Sequence, residues 1–217
     1  MNFSQAATAA LIAMAATAAH ADGPPPLLSE GFDSVAGLSS GWTLTNASTP
    51  GGTTGWFQGD AGIFAAQAGA ADSYIAANFN NAPLGGTISN WLIGPTFSTE
   101  LAGTVSFWAR GAADEGFADH LDFGISDSGS SAIGSFVLGS VVTVSGDWTQ
   151  YSFNYSAHGA GSTARFGIHY TGLADESNYV GIDTVTVTPV PEPSTWLLFG
   201  AGLLGLVIRS RRRAAAR

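Results

Sequence analysis

The 217-residue chain contains no cysteine and no lysine. Without thiols it can have no disulfide framework, no zinc–thiolate or iron–sulfur centre and no cysteine nucleophile. Without lysine it has no P-loop, because that motif ends on a lysine beside Ser or Thr. Bases of any kind are scarce: of seven arginines, five lie at or beyond position 209. Between residues 22 and 190 only Arg110 and Arg165 stand against fifteen Asp and Glu, a formal charge of −13. Such a surface cannot neutralise phosphates or release counterions, which argues against nucleic acid as a partner. It favours solubility, and it offers many oxygen donors to hard cations. The chain also lacks any long stretch with a helical period, and its longest apolar run, Trp196 to Ile208, is only 13 residues.

The two ends do not read as parts of a folded domain. Met1 to Ala21 is Ala-rich and free of acids, with an apolar stretch ahead of Ala19-His20-Ala21, an A-x-A cleavage pattern. This predicts a secretory signal peptide over 1–21, whose only n-region charge is the terminal amine. A linker, 22–27, follows with Pro24-Pro25-Pro26. The remainder is large enough to bury a core without disulfides.

The middle alternates. Val105, Phe107 and Ala109 face one way and Thr104, Ser106 and Trp108 the other. Leu121, Phe123 and Ile125 oppose Asp122 and Gly124, and Tyr151, Phe153 and Tyr155 oppose Gln150, Ser152 and Asn154. Phe166, Ile168 and Tyr170 share a face, and Val180 and Ile182 give way to Val185 and Val187 after a phase change. Period-two runs with β-branched and aromatic residues are half-buried strands. Clusters such as NASTPGGTTG, NNAPLGG, SDSGSS and SAHGAGS supply turn chemistry between them. Ten to twelve short strands at this spacing predict an all-β, two-sheet antiparallel sandwich over 28–188.

Candidate chemistry is sparse. GAGLLG at 200–205 matches a dinucleotide fingerprint, but it lies inside the apolar run with only 12 residues after it. His120, His158 and His169 sit singly in separate segments, without metal-ligand spacing. His120 lies between Asp119 and Asp122, and Ser126 or Ser128 would complete a triad, but no G-x-S-x-G elbow supports one. Asp114, Glu115, Asp119 and Asp122 offer carboxylates for glycoside hydrolysis, which requires a pair at set separations. Glu30 and Asp33 at the first strand and Asp183 at the last would converge if those strands are neighbours, making a candidate structural calcium site. Trp42, Trp56, Phe57, Trp91 and Trp108 could stack on sugar rings, although such residues more often fill a sandwich core.

The tail has three parts in order: Val190-Pro191-Glu192-Pro193, the apolar run and an arginine cluster. A 13-residue helix spans about 20 Å, short of the roughly 30 Å hydrocarbon core, and Ser194 and Thr195 extend it to a predicted transmembrane helix at 194–208. Arg209, Arg211, Arg212 and Arg213 place its end in the cytoplasm and the acidic domain outside. This arrangement, over 189–217, resembles the PEP-CTERM sorting signal of Gram-negative bacteria, with Pro191, Glu192 and Pro193 as its motif. The resemblance implies processing by an exosortase in the inner membrane and delivery to the cell surface or extracellular matrix, commonly alongside exopolysaccharide.

EGFD at 30–33, GWFQGD, SYIAANFNN, ISNWLIGP, VSFWAR, DHLDFGIS and YVGIDTVTV occur in an order that resembles the choice-of-anchor J domain. They resemble cleaved-adhesin and MAM-type jelly rolls more distantly. The resemblance implies a jelly roll, and related adhesin modules carry structural calcium, which adds weight to Glu30 and Asp183. The expectation is an exported, non-catalytic surface or matrix protein with an adhesion or exopolysaccharide-associated role. A carbohydrate-binding or glycoside-hydrolysing sandwich is the alternative.

Overall fold

The computed structural model describes residues 24–190. The signal peptide at 1–21, the motif at Pro191, Glu192 and Pro193, the helix at 194–208 and Arg209, Arg211, Arg212 and Arg213 lie outside the described residues.

The described chain forms thirteen strands and no α-helix. In order they are β1 (Leu28–Glu30), β2 (Thr43–Asn46), β3 (Phe57–Gln58), β4 (Ile75–Asn78), β5 (Thr87–Ile93), β6 (Phe97–Ser98) and β7 (Gly103–Gly111). Then come β8 (His120–Ser126), β9 (Val137–Leu138), β10 (Val142–Thr143), β11 (Thr149–Tyr155), β12 (Thr163–Leu173) and β13 (Tyr179–Pro189). They build two antiparallel sheets. The six-stranded sheet runs β11-β7-β13-β4-β3, with β1 also on β13. The seven-stranded sheet runs β10-β8-β12-β5-β2, with β6 on β12 and β9 on β8.

The core lies between the sheets, where the alternation places it. Val105, Phe107, Ala109, Val180, Ile182, Val185 and Val187 from one sheet meet Ile88, Leu92, Leu121, Phe166, Ile168 and Tyr170 from the other. All of these are fully buried.

The phase change in the last strand is a real irregularity. Pairing between β13 and β7 shifts register between Asp183 and Thr186, and Thr184 takes a left-handed φ of 49°. The bulge sits where β13 changes neighbours: β4 pairs with Tyr179–Ile182 and β1 with Val185–Val187. An extra residue there restores inward-facing valines beyond it.

The molecule has two distinct ends. Strand β13 enters at Tyr179 beside Asn78 and leaves at Pro189 beside Gly103. The end with Pro189, Gly103 and Leu27 also carries both ends of the described chain, since Leu27 donates its N–H to Val187 at 2.7 Å. We call it proximal; the end with Leu173, Thr87 and Ala118 is distal.

Candidate functional site

The outer face of the seven-stranded sheet carries the densest set of polar side chains with defined partners. Direct strand pairing puts Thr45, Trp91, His169 and Asp122 in one row across β2, β5, β12 and β8. The next outward positions toward the distal end are Ser89, Thr171 and His120, and beyond them Thr87 and Leu173.

Within the first row His169 is held on three sides. Its Nδ1 meets Asp122 Oδ1 at 2.7 Å, its Nε2 meets Ser89 Oγ at 3.0 Å, and its ring stacks on Trp91 at 4.3 Å. Trp91 Nε1 donates to the same Ser89 Oγ at 3.2 Å. The carboxylate requires a proton on Nδ1, which leaves Nε2 to accept the Ser89 hydroxyl. The order Ser89, His169, Asp122 is that of a nucleophilic relay. Such a relay needs free N–H groups to hold an oxyanion. Ser89 donates its own N–H to Ser48 Oγ at 2.8 Å, and β5 lies between two partners that take up its remaining amides. The cluster therefore fixes the Trp91 and His169 rings in place.

A segment between β8 and β10 lies flat on this face because the sheet has a slot for it. Gly124 and Gly167 are direct partners. A Cβ on Gly124 would stand 1.9 Å from Val137 O, and one on Gly167 would stand 3.0 Å from the Phe136 ring. Phe136 closes over Trp91 at 5.6 Å. Gly124→Ala is expected to lift the 133–138 segment, because the obstructing atom is backbone and cannot rotate away. A loss of about 2 kcal/mol in urea unfolding, with faster proteolysis inside 127–141, checks this.

Distal to the row is an open groove of about 430 Å³, lined by Thr87, His120, Val141, Thr171, Leu173 and Glu176. Its wall mixes hydroxyls, an imidazole, a carboxylate and two exposed aliphatic side chains. Asp114, Glu115 and Asp175 lie in the adjoining loops, so the field there is negative.

Behind the groove, Asp119 is 2 % exposed. It accepts the Tyr170 hydroxyl at 2.6 Å and the N–H groups of Asn178 and Tyr179 at 2.9 and 3.2 Å. Burial raises its pKa, and these hydrogen bonds act the other way. Burial and the nearby Asp119 charge also raise the Tyr170 hydroxyl.

The structure distributes the sequence-predicted residues differently from a single site. Asp119 and Asp122 face opposite sides of the sheet, Asp119 into its buried network and Asp122 onto His169. Asp114 accepts from the Asn178 side chain. Ser126 is buried and bonds to Ser128 and Ser135, far from the triad imagined with His120. His158 makes an exposed pair with Asp127 at 3.5 Å. Trp56 and Trp91 are buried, and Trp42 packs edge-on against Phe32 and Phe166, which leaves Trp108 half-buried on the other sheet. The aromatics form no sugar platform.

Of the predicted calcium residues, Asp183 is fully buried. Its Oδ2 accepts the N–H of Gln67 at 2.8 Å and of Ala68 at 3.0 Å, and its Oδ1 accepts the Thr184 N–H, while the Thr184 hydroxyl donates to Gln67 Oε1 at 2.9 Å. Glu30 Oε1 accepts the Phe32 N–H at 2.8 Å, and Asp33 is exposed. Three backbone N–H groups occupy the Asp183 carboxylate, two of them on Oδ2, so an ion binding at Oδ2 would displace Gln67 and Ala68. Among the described residues no three His, Asp or Glu are grouped to hold a metal ion.

In sequence, residues 189–213 match the PEP-CTERM protein-sorting motif, and no curated protein matches the chain. In structure, the chain is similar to the K1 cleaved adhesin domain of Lys-gingipain from Porphyromonas gingivalis W83, with 21 % identity and a TM-score of 0.57. That match covers 76 % of this chain and 98 % of the domain. The K3 cleaved adhesin domain of the same protein gives 19 % identity and a TM-score of 0.59 over 76 % and 98 %. TmCBM61, solved in complex with β-1,4-galactotriose, gives 15 % and 0.51 over 77 % and 100 %. At these identities the likeness establishes a jelly-roll fold.

Proposed function

We propose that the chain is an exported, non-catalytic β-sandwich, processed by an exosortase through its tail and shown at the cell surface or in the matrix, where it binds carbohydrate. The tail reading is supported by the sorting-motif match at 189–213 together with the apolar run and arginine cluster. In this reading the 194–208 helix holds the precursor in the membrane until cleavage near Pro191-Glu192-Pro193. The motif order in the sandwich keeps a choice-of-anchor J relationship within the proposal.

The observation that carries the binding reading is the distal groove on the outer face of the seven-stranded sheet. TmCBM61 shares the fold and was solved with a neutral galactotriose. Glu176 and the formal charge of −13 over residues 22–190 favour neutral over acidic polysaccharides. Residues 22–190 are expected to bind neutral glycans on an array, and Thr171→Phe, which fills the groove, to weaken binding at least tenfold. An array on which only acidic glycans bind overturns the neutral preference, and one on which none bind sinks the carbohydrate reading.

The glycoside-hydrolysing alternative has less support, because Asp119 is committed to Tyr170 and two backbone amides while Asp122 is committed to His169. Calcium enters the proposal as a structural ligand only, reached through Glu30, Asp33 and Asp183 when the Gln67 and Ala68 N–H groups are released.

A further inference from the structure

The fold runs almost to the sorting motif. The last ladder pair of β13 is Pro189 with Gly103, and Val190 then donates its N–H to Ala102 at 2.8 Å. Between Val190 and the apolar run at Trp196 lie only residues 191–195. Even fully extended, that stretch reaches about 20 Å. A sandwich tethered so closely cannot stand away from the membrane that holds its tail.

The end nearest the tether is suited to that position. Leu27, Leu101 and Val190 are 44 %, 48 % and 49 % exposed and surround the exit of β13. Two carboxylates lie at this end: Glu100 is turned onto the Gly161 N–H at 2.9 Å, and Asp127 pairs with His158 at 3.5 Å. The distal end instead carries Asp114, Glu115, Asp175 and Glu176, which an anionic lipid surface would repel. The distal end exposes apolar side chains as well, Leu84, Phe117 and Leu173 among them, so the short tether and the distal carboxylates set the favoured orientation.

We propose that the precursor's sandwich sits with its proximal end, Leu27, Leu101 and Val190, against the outer surface of the lipid bilayer. The sorting motif is then presented in the narrow gap between the folded wall and the lipid, and the distal groove points away from the membrane. The inference rests on the tail being membrane-held, as in the proposed function. Cleavage at the motif frees the sandwich without removing any ladder residue, because β13 is complete at Pro189.

The absence of cysteine makes the test direct, since one introduced thiol is the only site of labelling. Leu101→Cys marks the proximal end, and Leu84→Cys, 84 % exposed in the turn before β5, marks the distal end. The strand β13 between the ends is about 35 Å long. The full chain, labelled with an environment-sensitive dye, is reconstituted into phosphatidylethanolamine and phosphatidylglycerol vesicles carrying headgroup-attached quencher. Vesicle flotation reports separately whether the tail is inserted. With flotation positive, quenching at position 101 is expected to be at least twofold stronger than at position 84. Equal quenching at both sites, or stronger quenching at 84, overturns the seating while leaving the anchor intact. Failure to float overturns the membrane-held tail, and the seating with it.

Discussion

Asp119→Ala is expected to lower stability by about 4 kcal/mol, which for a domain of this size is a fall of about 12 °C in melting temperature. The carboxylate is 2 % exposed and collects three donors: the buried Tyr170 hydroxyl and Tyr179 N–H, and the part-buried Asn178 N–H. Each buried donor left unpaired costs about 1–3 kcal/mol, and relief from desolvating the carboxylate offsets part of the sum. The damage also reaches the candidate site, because Tyr179 begins β13 directly after Asn178 and Tyr170 lies on β12 beneath the groove. Asp119→Asn keeps the volume and one acceptor, but points an amide at donors, so it should fall between wild type and Ala.

The same residue predicts a pH dependence opposite in sign to ordinary acid denaturation. Burial raises the folded-state pKa of Asp119, and of Asp183, above that of the unfolded chain. The folded state then binds its proton at higher pH than an unfolded Asp, which titrates near 3.9. Stability therefore rises as pH falls through the raised values toward about 4, and is lost again as pH climbs back through them. Acidification also relieves the general repulsion among carboxylates, but that contribution is shared with the variant. The urea midpoint of wild type should increase from pH 7.5 to pH 5, and Asp119→Ala should show a smaller increase. An equal increase in both would mean that Asp119 titrates normally.

The long strands were legible because each alternates over seven or more residues: β7 and β12 bury the face that the pattern selects and β11 half-buries it, while in β8 Gly124 and Ser126 on the opposite face are buried as well. The interruption after Ile182 was also visible as a phase change, and it is the bulge between Asp183 and Thr186. Strands β3, β6, β9 and β10 were not, since two residues carry no period. The polar cluster was hidden for a different reason. Ser89, Asp122 and His169 are far apart in the chain, and only the pairing of β5, β12 and β8 makes them neighbours. Proximity in sequence misled instead: His120 and Asp122 share a face, yet the histidine that Asp122 holds is His169. Trp91 points outward by alternation and is nevertheless buried, because Phe136 from a distant loop covers it.

Asp183→Ala should cost nearly as much, about 3–4 kcal/mol, through a different mechanism. Asp183 lies at the point where β13 exchanges β4 for β1, a break in the ladder through which backbone donors would otherwise be left bare. Its carboxylate fills the break by accepting Gln67 and Ala68 N–H from the covering loop and Thr184 N–H from the bulge itself. Thr184 is β-branched and left-handed, a conformation that persists only under external support, here Asp183 and the Gln67 side chain at 2.9 Å. The loop it anchors roofs Phe64, Tyr74 and Trp148, with Trp148 Nε1 donating to Ala65 O at 2.9 Å. Loss of the carboxylate should therefore shift Trp148 emission to the red and speed hydrogen exchange at Gln67 and Ala68 beyond the global change. The pH slope then decides what Asp183 serves. With backbone donors alone, burial keeps its pKa raised and acid stabilises. With a calcium ion in place of Gln67 and Ala68, the ion would hold the carboxylate ionised, so its contribution would be present above the unfolded value and lost as pH falls. A melting temperature that rises with calcium and then declines on acidification would assign Asp183 to the ion. A calcium-independent melting temperature that increases toward pH 5 assigns it to the loop.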